Sequence, residues 1–356
     1  MIPHDRQHLR VLIARGAFAE MYEPAWNRAL NEIGVSSEIF EAHALTLPWL
    51  AGRVERRILW GPGVSRLRRA LVARVRDTRP DITLLYQGHY YDAETVAELA
   101  RRSFVVGYHN DDPFGSRRGL LRYRHLLPAF TQYHGYHVYR QVNLAEAKAA
   151  GVRRVGLLRS YYLPWLDYPR RLDADQLREF GCDLVFAGHT EQDLRIGCLS
   201  EAVRAGVSVK LFGEDKYWRA ALAPDIYRRL GPVLKVVGER YRLALCGAKI
   251  AACFFSKWNR DQYTRRVFEI PACGAFMLAE RSDEMLELFE EGEEAAYFSS
   301  QEEFVDKAHY YLGHASERER IAQNGAEKVR RSGHDVCSRM RQWLGDVTAW
   351  MREDER

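Results

Sequence analysis

Glu269 is an acid set in an otherwise apolar helical stretch, RRVFEIPACGAFMLAE, residues 265–280. Burying a carboxylate without a partner costs several kcal/mol, so this one needs company. Two kinds of partner suit it. One is a hydroxyl pair such as a ribose diol, because a carboxylate only accepts hydrogen bonds. The other is the guanidinium of Arg265 or Arg266. Gly274 closes the helix and turns the chain directly into a strand, AFMLAE. A second group of reactive side chains lies in YHNDDPFG, residues 108–115. His109, Asp111 and Asp112 follow a strand there, and each could take a proton from an attacking hydroxyl as general base. Asn-Asp-Asp-Pro is also ordinary turn chemistry, in which the aspartates cap the next few residues. The loop RGAFAEMYEP after the first strand offers another acid, Glu20. His134 and His137 in TQYHGYHVYRQ have a spacing that suits a metal, but no third ligand is near, and FTQYHGYHVY reads better as a buried strand. No metal or other cofactor is expected.

The elements that position these groups alternate. LRVLIA (9–14) is a short buried-type strand, followed by a helix in AWNRALNEIG and a strand in SSEIFEA. Residues 64–77 form a helix with Val64, Leu67, Leu71, Val72 and Val75 on one stripe and five arginines around it. Strand ITLLYQG, helix ETVAELARR and strand FVVGY come next. This β-α-β alternation predicts an α/β protein with parallel sheets and helices on both faces. Around 160–181 it breaks, in a stretch rich in proline, aromatics and charge. It resumes with strand DLVFAG, a helix through LRIGCLSEAVRAG, and strands VSVKLFG, KIAACFF and AFMLAE, and it ends in two long helices. Two Rossmann-like domains are expected, residues 1–165 and 182–335, facing each other across a cleft. Residues 336–356 are expected to pack back on the first. Gly188 (VFAGHT) and Gly213 (KLFGED) each end a strand of the second domain, where a glycine admits a nucleotide close to the backbone or serves a tight turn. Asp173-Ala-Asp175 spells a metal-binding D-x-D but falls in the break, where it reads as a helix start.

The chain has 356 residues, 47% of them hydrophobic and 28% charged, which fits two folded domains and excludes a disordered chain. No apolar run approaches the roughly 18 residues of a membrane span, and MIPHDRQHLR has no signal-peptide core, so the cytoplasm is the expected location. The six cysteines all lie in the second half without a C-x-x-C pair, and reduced, buried thiols are expected of them. Residues 1–180 carry 27 Lys and Arg against 19 Asp and Glu, while 181–356 carry 26 against 29. The basic first half is open to an anionic partner. Its arginine-rich helix is either a solvated face or a peripheral contact with a membrane surface or anionic acceptor. Nucleic acid is not expected, because the interleaved basic and aromatic motifs of RNA modules are missing.

RVFEIPACGAFMLAE, the following LFEEGEEAAYFSSQEEFVDKAHYYLGHASERERIAQNGAEKV and the earlier YHNDDPF resemble the CgeB-like, spore-maturation type of glycosyltransferase, within the group-1 superfamily of the GT-B fold. The resemblance is strongest from about 183 to 330 and looser over 1–160. It implies that Glu269 holds the nucleotide ribose. It makes Arg266 and Lys257 cations for the diphosphate, with Arg265 beside them, and puts Asp261, eight positions before Glu269, where relatives contact the donor sugar. It further implies a UDP-, GDP- or dTDP-linked sugar as donor and a glycan, lipid, protein or small-molecule hydroxyl as acceptor. Fixed cations that stabilise the departing diphosphate can stand in for a metal. A nucleotide-sugar epimerase or hydrolase of the same architecture, and a non-catalytic nucleic-acid binder using the basic half, are the alternatives.

Overall fold

The computed structural model describes residues 9–14, 22–41, 54–55, 57–115 and 120–354. The chain divides into two compact units, Met1–Arg159 with Val336–Arg356, and Ser160–Asp335. In the first, six strands form one sheet: β1 (Arg10–Ala14), β2 (Ser36–Phe40), β3 (Ile82–Tyr86), β4 (Phe104–His109), β5 (Gly135–Val138) and β6 (Val155–Leu157). Their order is β2-β1-β3-β4-β5-β6, and every pairing is parallel. Strands β3 and β4 are buried along their whole length, which is why they read as unbroken apolar runs rather than alternating ones. The chain leaves β1 for β2 on one side and returns to β3 on the other. The order therefore reverses between β1 and β3, the place where α/β sheets bind ligands.

The helix Pro62–Thr78 buries Val64, Leu67, Leu71 and Val75. Three of its arginines are tied to neighbours, Arg68 to Asp92 and to the Tyr90 carbonyl, Arg74 to Glu38, and Arg76 to Asp77. The stretch FTQYHGYHVY is less regular than its composition predicts. Only Gly135–Val138 is strand, and Phe130–Gln132 is a tight 3-10 turn. Gly135 is needed where it stands, because a Cβ there would lie 2.4 Å from the ring of Trp350 in the last helix, Val336–Asp354. That helix buries Trp343 completely.

The second unit carries β7 (Cys182–Ala187), β8 (Val209–Phe212), β9 (Ala248–Cys253), β10 (Met277–Glu280) and β11 (Ala296–Phe298). The order is β11-β10-β9-β7-β8, again all parallel, with the reversal between β7 and β9. Residues 160–181, read from sequence as a break between domains, belong to this unit. Leu172 and Phe180 are buried, and Asp173 caps the helix Ala174–Phe180 with a reciprocal capping box through Gln176. The helix Arg266–Ala272 contains Pro271 and stops one residue later, and Gly274 leaves it at φ +73°, a left-handed turn that favours glycine. Among the described residues no helix is long and apolar enough to cross a membrane.

Candidate functional site

In the second unit the loops after β7 and β9 meet at the reversal point, and Arg195 joins them. Its guanidinium is almost fully buried. It donates from Nε to Asp193 Oδ1 (2.8 Å), from Nη1 to the His189 carbonyl (2.9 Å) and from Nη2 to Asp193 Oδ2 (2.7 Å) and the Phe255 carbonyl (3.3 Å). Asp193 also accepts the Arg195 amide at the start of the helix Leu194–Arg204. Glu191 completes the tie: it accepts from Ser256 Oγ, from the Lys257 amide (2.9 Å) and from His189 Nε2 (3.3 Å). Burial pushes the Glu191 carboxyl up, but these hydrogen bonds outweigh it and bring the group down to about 2. Arg195 is thus a structural tie.

The residues expected to hold a nucleotide surround this tie. Arg266 Nε donates to the Ala187 carbonyl (2.7 Å), which lays the guanidinium across the end of β7. Gly188 comes next, and a Cβ there would lie 2.7 Å from Phe186 and 3.3 Å from Arg266 Nη2. At Gly213 a Cβ would come within 2.4 Å of the Gly188 carbonyl, which also accepts from Trp218 Nε1 (3.0 Å). Both glycines therefore serve close packing of the chain itself. Beside them His189, Thr190, Glu214, Tyr217 and Trp218 line a cavity of about 280 Å³. Lys257 reaches from the β9 loop to the buried carboxylate of Glu280, whose other oxygen accepts the Phe255 amide (3.2 Å). Asp261 lies on the same loop, its amide donating to the Ser256 carbonyl (2.8 Å).

Glu269 is 6% exposed, and its carboxylate lies 2.5 Å from Arg265 Nε. Of the partners open to Glu269 in the sequence, the guanidinium is present, and it is Arg265 rather than Arg266. A carboxylate has about four lone-pair sites, so one cation does not exhaust it. Arg265 also stands over the Tyr161 ring, 5.6 Å from its centroid. Asp167, from the stretch read as a break, faces the same spot. Its Oδ2 accepts the Leu163 amide (2.7 Å), and burial, together with the Glu269 charge, raises its carboxyl to about 7. Nothing in the sequence pattern pointed to Asp167, because that stretch has no period.

Asp167 provides a pH test. A carboxyl that binds its proton more tightly folded than unfolded makes the native state the better proton binder between the ordinary carboxylate range and about 7. Stability therefore falls as pH rises through that window. Asp167→Asn keeps an acceptor for the Leu163 amide and removes the titration. Its unfolding free energy should stay nearly level from about pH 5 to about pH 8, ending about 2–4 kcal/mol above the parent. Urea titrations at the two pH values check this, and parallel curves for the two proteins would count against it.

In the first unit the loops after β3 and β4 carry the reactive groups. Asp112 is buried and its Oδ1 accepts from the amides of Phe114 (2.9 Å) and Gly115 (3.0 Å) and from Asn143 Nδ2 (3.0 Å). Through this oxygen Asp112 forms the turn that Asn-Asp-Asp-Pro spells. His109 is also buried. The Asp111 amide donates to its Nδ1 (2.9 Å), and its Nε2 lies 3.1 Å from His89 Nε2. His109 Nδ1 also lies 3.0 Å from the Asp111 carbonyl, so the same turn residue engages that nitrogen twice while Nε2 and His89 share one proton between them. Burial holds both rings well below the usual histidine range, so both stay neutral. His109 thereby braces the turn, with both ring nitrogens engaged. Asp111 is more open and pairs with Arg122 at 2.7 Å. His89 went unnoticed in the sequence, although YQGHY follows β3 as HNDD follows β4. Gln87 in that loop adopts φ +59°, unusual for a side chain other than glycine, and its Nε2 donates to Asn110 Oδ1 (2.8 Å). Glu20 lies outside the described residues. His134 Nδ1 accepts the Val105 amide (3.0 Å) and His137 Nε2 pairs with Asp346 (3.1 Å), so the two rings serve separate contacts.

Residues 195–345 match the model of the glycosyl transferase-like family. That stretch holds Lys257, Asp261, Arg265, Arg266, Glu269 and Gly274. No curated protein matches the chain. Among solved structures, HepE from Anabaena in complex with UDP and glucose is similar over 96% of this chain and 100% of its own, at 11% identity and TM-score 0.64. Sucrose-phosphate synthase from Thermosynechococcus elongatus is similar over 96% and 99%, at 11% identity and TM-score 0.68. A UDP-N-acetylglucosamine 2-epimerase homologue from Listeria monocytogenes covers 97% of both chains, at 12% identity and TM-score 0.56. The fold is that of the GT-B glycosyltransferases, with one parallel sheet in each unit.

Proposed function

We propose that the protein is a glycosyltransferase that moves a sugar from a nucleotide-linked donor to an acceptor hydroxyl without a metal. The observation that carries this reading is the group of Glu269, Arg265 and Arg266 gathered at the reversal point of the second sheet, inside the stretch that matches the glycosyl transferase-like family. In this reading Glu269 accepts the ribose hydroxyls, held in place by Arg265. Arg266 and Lys257 face the diphosphate. As the glycosidic bond to the donor breaks, negative charge grows on the departing diphosphate and the sugar becomes oxocarbenium-like. Fixed cations stabilise that charge more in the transition state than in the ground state. Lys257 pairs with Glu280, and in this reading the nucleotide draws it away.

For the acceptor side, Asp111 is the general base this reading favours, because Asp112 and His109 are committed to the turn. The acceptor is a hydroxyl of a glycan, lipid-linked intermediate, protein or small molecule, and the CgeB-like type is the subtype this reading favours within the group-1 superfamily. A cytoplasmic site of action fits both substrates. Arginines on the Pro62–Thr78 helix, three of them paired with acids, favour a solvated surface face over a membrane contact.

UDP is the nucleotide to test first, since HepE binds it in a related fold. Melting curves with UDP, GDP, dTDP, CDP and ADP, each with and without magnesium, are expected to show one diphosphate raising the melting temperature equally in both conditions. At a hundredfold excess over its dissociation constant the ligand adds about 2.7 kcal/mol. No shift with any diphosphate would sink the reading, and a shift only with magnesium would remove its metal-independent part. A second reading, a nucleotide-sugar epimerase or hydrolase, is favoured by the likeness to the Listeria structure. It is distinguished by turnover of the nucleotide sugar with no acceptor present.

A further inference from the structure

We propose that Cys246 and Cys273 are a thiol–disulfide pair, open to low-molecular-weight disulfides such as glutathione disulfide through a basic cavity of the second unit. The fold brings them together. Cys246 lies in the last turn of the helix Glu239–Gly247, just before β9, and Cys273 caps the helix Arg266–Ala272, just before β10. Strands β9 and β10 are parallel neighbours, with Ala251 opposite Met277. The two cysteines therefore enter adjacent strands at the same edge of the sheet. The Cys246 thiol donates to the Cys273 carbonyl (3.5 Å), and both side chains line one cavity.

Access is provided by a cavity of about 320 Å³, lined by Arg170, Arg171, Cys246, Cys273 and Gly274 among others. Cys246 is half-buried and Cys273 buried, so Cys246 is the attacking thiol and Cys273 the resolving one. The neighbouring Cys273 side chain lowers the Cys246 thiol, and the charges of Arg242 and Arg170 add to that, while Cys246 and burial raise Cys273. Cys182, Cys198 and Cys253 differ: burial pushes them up to about 12, about 12 and about 11. The arginines also suit an anionic reagent such as glutathione disulfide.

The chemistry balances. The Cys246 thiolate attacks one sulfur of glutathione disulfide, breaks its S–S bond and expels a glutathione thiolate, leaving a mixed disulfide. Cys273 gives up its proton to that thiolate and attacks Cys246 Sγ, expelling the second glutathione, which takes the proton first lost by Cys246. Two protein thiols are oxidised by two electrons and one glutathione disulfide is reduced to two thiols. The pair sits where β9 and β10 begin, with the Cys273 amide donating to the Glu269 carbonyl (3.0 Å), and its chemistry needs no nucleotide.

The test uses the whole reduced protein with glutathione disulfide, followed by acid quenching, alkylation and peptide mass spectrometry. The expected result is loss of two of the six thiols, a peptide linking Cys246 to Cys273, and full recovery with dithiothreitol. Cys273→Ser should stop at one glutathione on Cys246, and Cys246→Ser should keep its remaining thiols. Retention of all thiols by the unaltered chain, or glutathione held on Cys246 without a Cys246–Cys273 link, overturns the proposal. The mass readout is made on the unaltered chain, so it stands even where a variant fails to fold.

Discussion

Glu269→Ala is expected to abolish the rise in melting temperature caused by the matching nucleoside diphosphate and to weaken its binding by at least about a hundredfold. Hydrogen bonds to a charged group contribute about 1.5–3 kcal/mol each, and two ribose hydroxyls would lose theirs together. The substitution also removes the partner of Arg265, a buried ion pair at 2.5 Å. Breaking such a pair from one side costs stability because the remaining charge stays buried. The two effects separate with Glu269→Gln, which preserves volume and an acceptor oxygen but not the charge. Titration calorimetry reports binding, and circular dichroism with urea reports the fold. An alanine variant that folds and binds like the parent would remove Glu269 from the nucleotide site. An alanine variant that fails to fold would make the glutamate a structural half of the ion pair.

Arg195→Ala should destabilise the second unit by about 3–5 kcal/mol, the usual cost of leaving buried partners of an ion pair uncompensated. Four acceptors depend on that guanidinium: both oxygens of Asp193 and the carbonyls of His189 and Phe255. Asp193 is 4% exposed as a side chain and Glu191, 3.5 Å from the same guanidinium, is 7% exposed. Water cannot readily replace what is lost. Lysine should recover little, because a single ammonium cannot match a planar fork that bonds in several directions. Urea unfolding of the full chain measures the loss. A variant within about 0.5 kcal/mol of the parent, the range of an ordinary surface substitution, would show that the loops after β7 and β9 hold each other by other means.

Helix and strand positions were legible because burial writes itself into the spacing of apolar residues. The stripe Val64, Leu67, Leu71, Val75 recurs at helical period and is buried as a set, and the unbroken runs ITLLY and FVVGY are strands covered on both faces. Short elements escaped. The three-residue strands β6 and β11 are too brief to show a period, and FTQYHGYHVY looks uniformly strand-like although only Gly135–Val138 is strand, with Trp350 filling the space beside Gly135. The candidate site divides in the same way. Glu269 stood out because an acid in an apolar helix demands a partner, and Asp112 stood out because Asn-Asp-Asp-Pro is either a turn or a base. That Asp112 also accepts from Asn143, and that Asp167 comes to face Glu269, depends on atoms brought from elsewhere in the chain.

Local residue patterns were enough to set the alternation of elements, the two parallel-sheet halves and the stretch in which nucleotide-binding side chains should be sought. They suffice for that because each helix or strand must bury one side within a few residues. Long-range packing was needed to reverse the strand order between β7 and β9, to make Arg195 the tie between the two loops there, and to bring Asp167 to Glu269 across about a hundred residues of chain. It likewise set Cys246 beside Cys273, since only the adjacency of β9 and β10 makes neighbours of them. Strand order and buried charge pairing are settled between distant segments, and no local period carries that information.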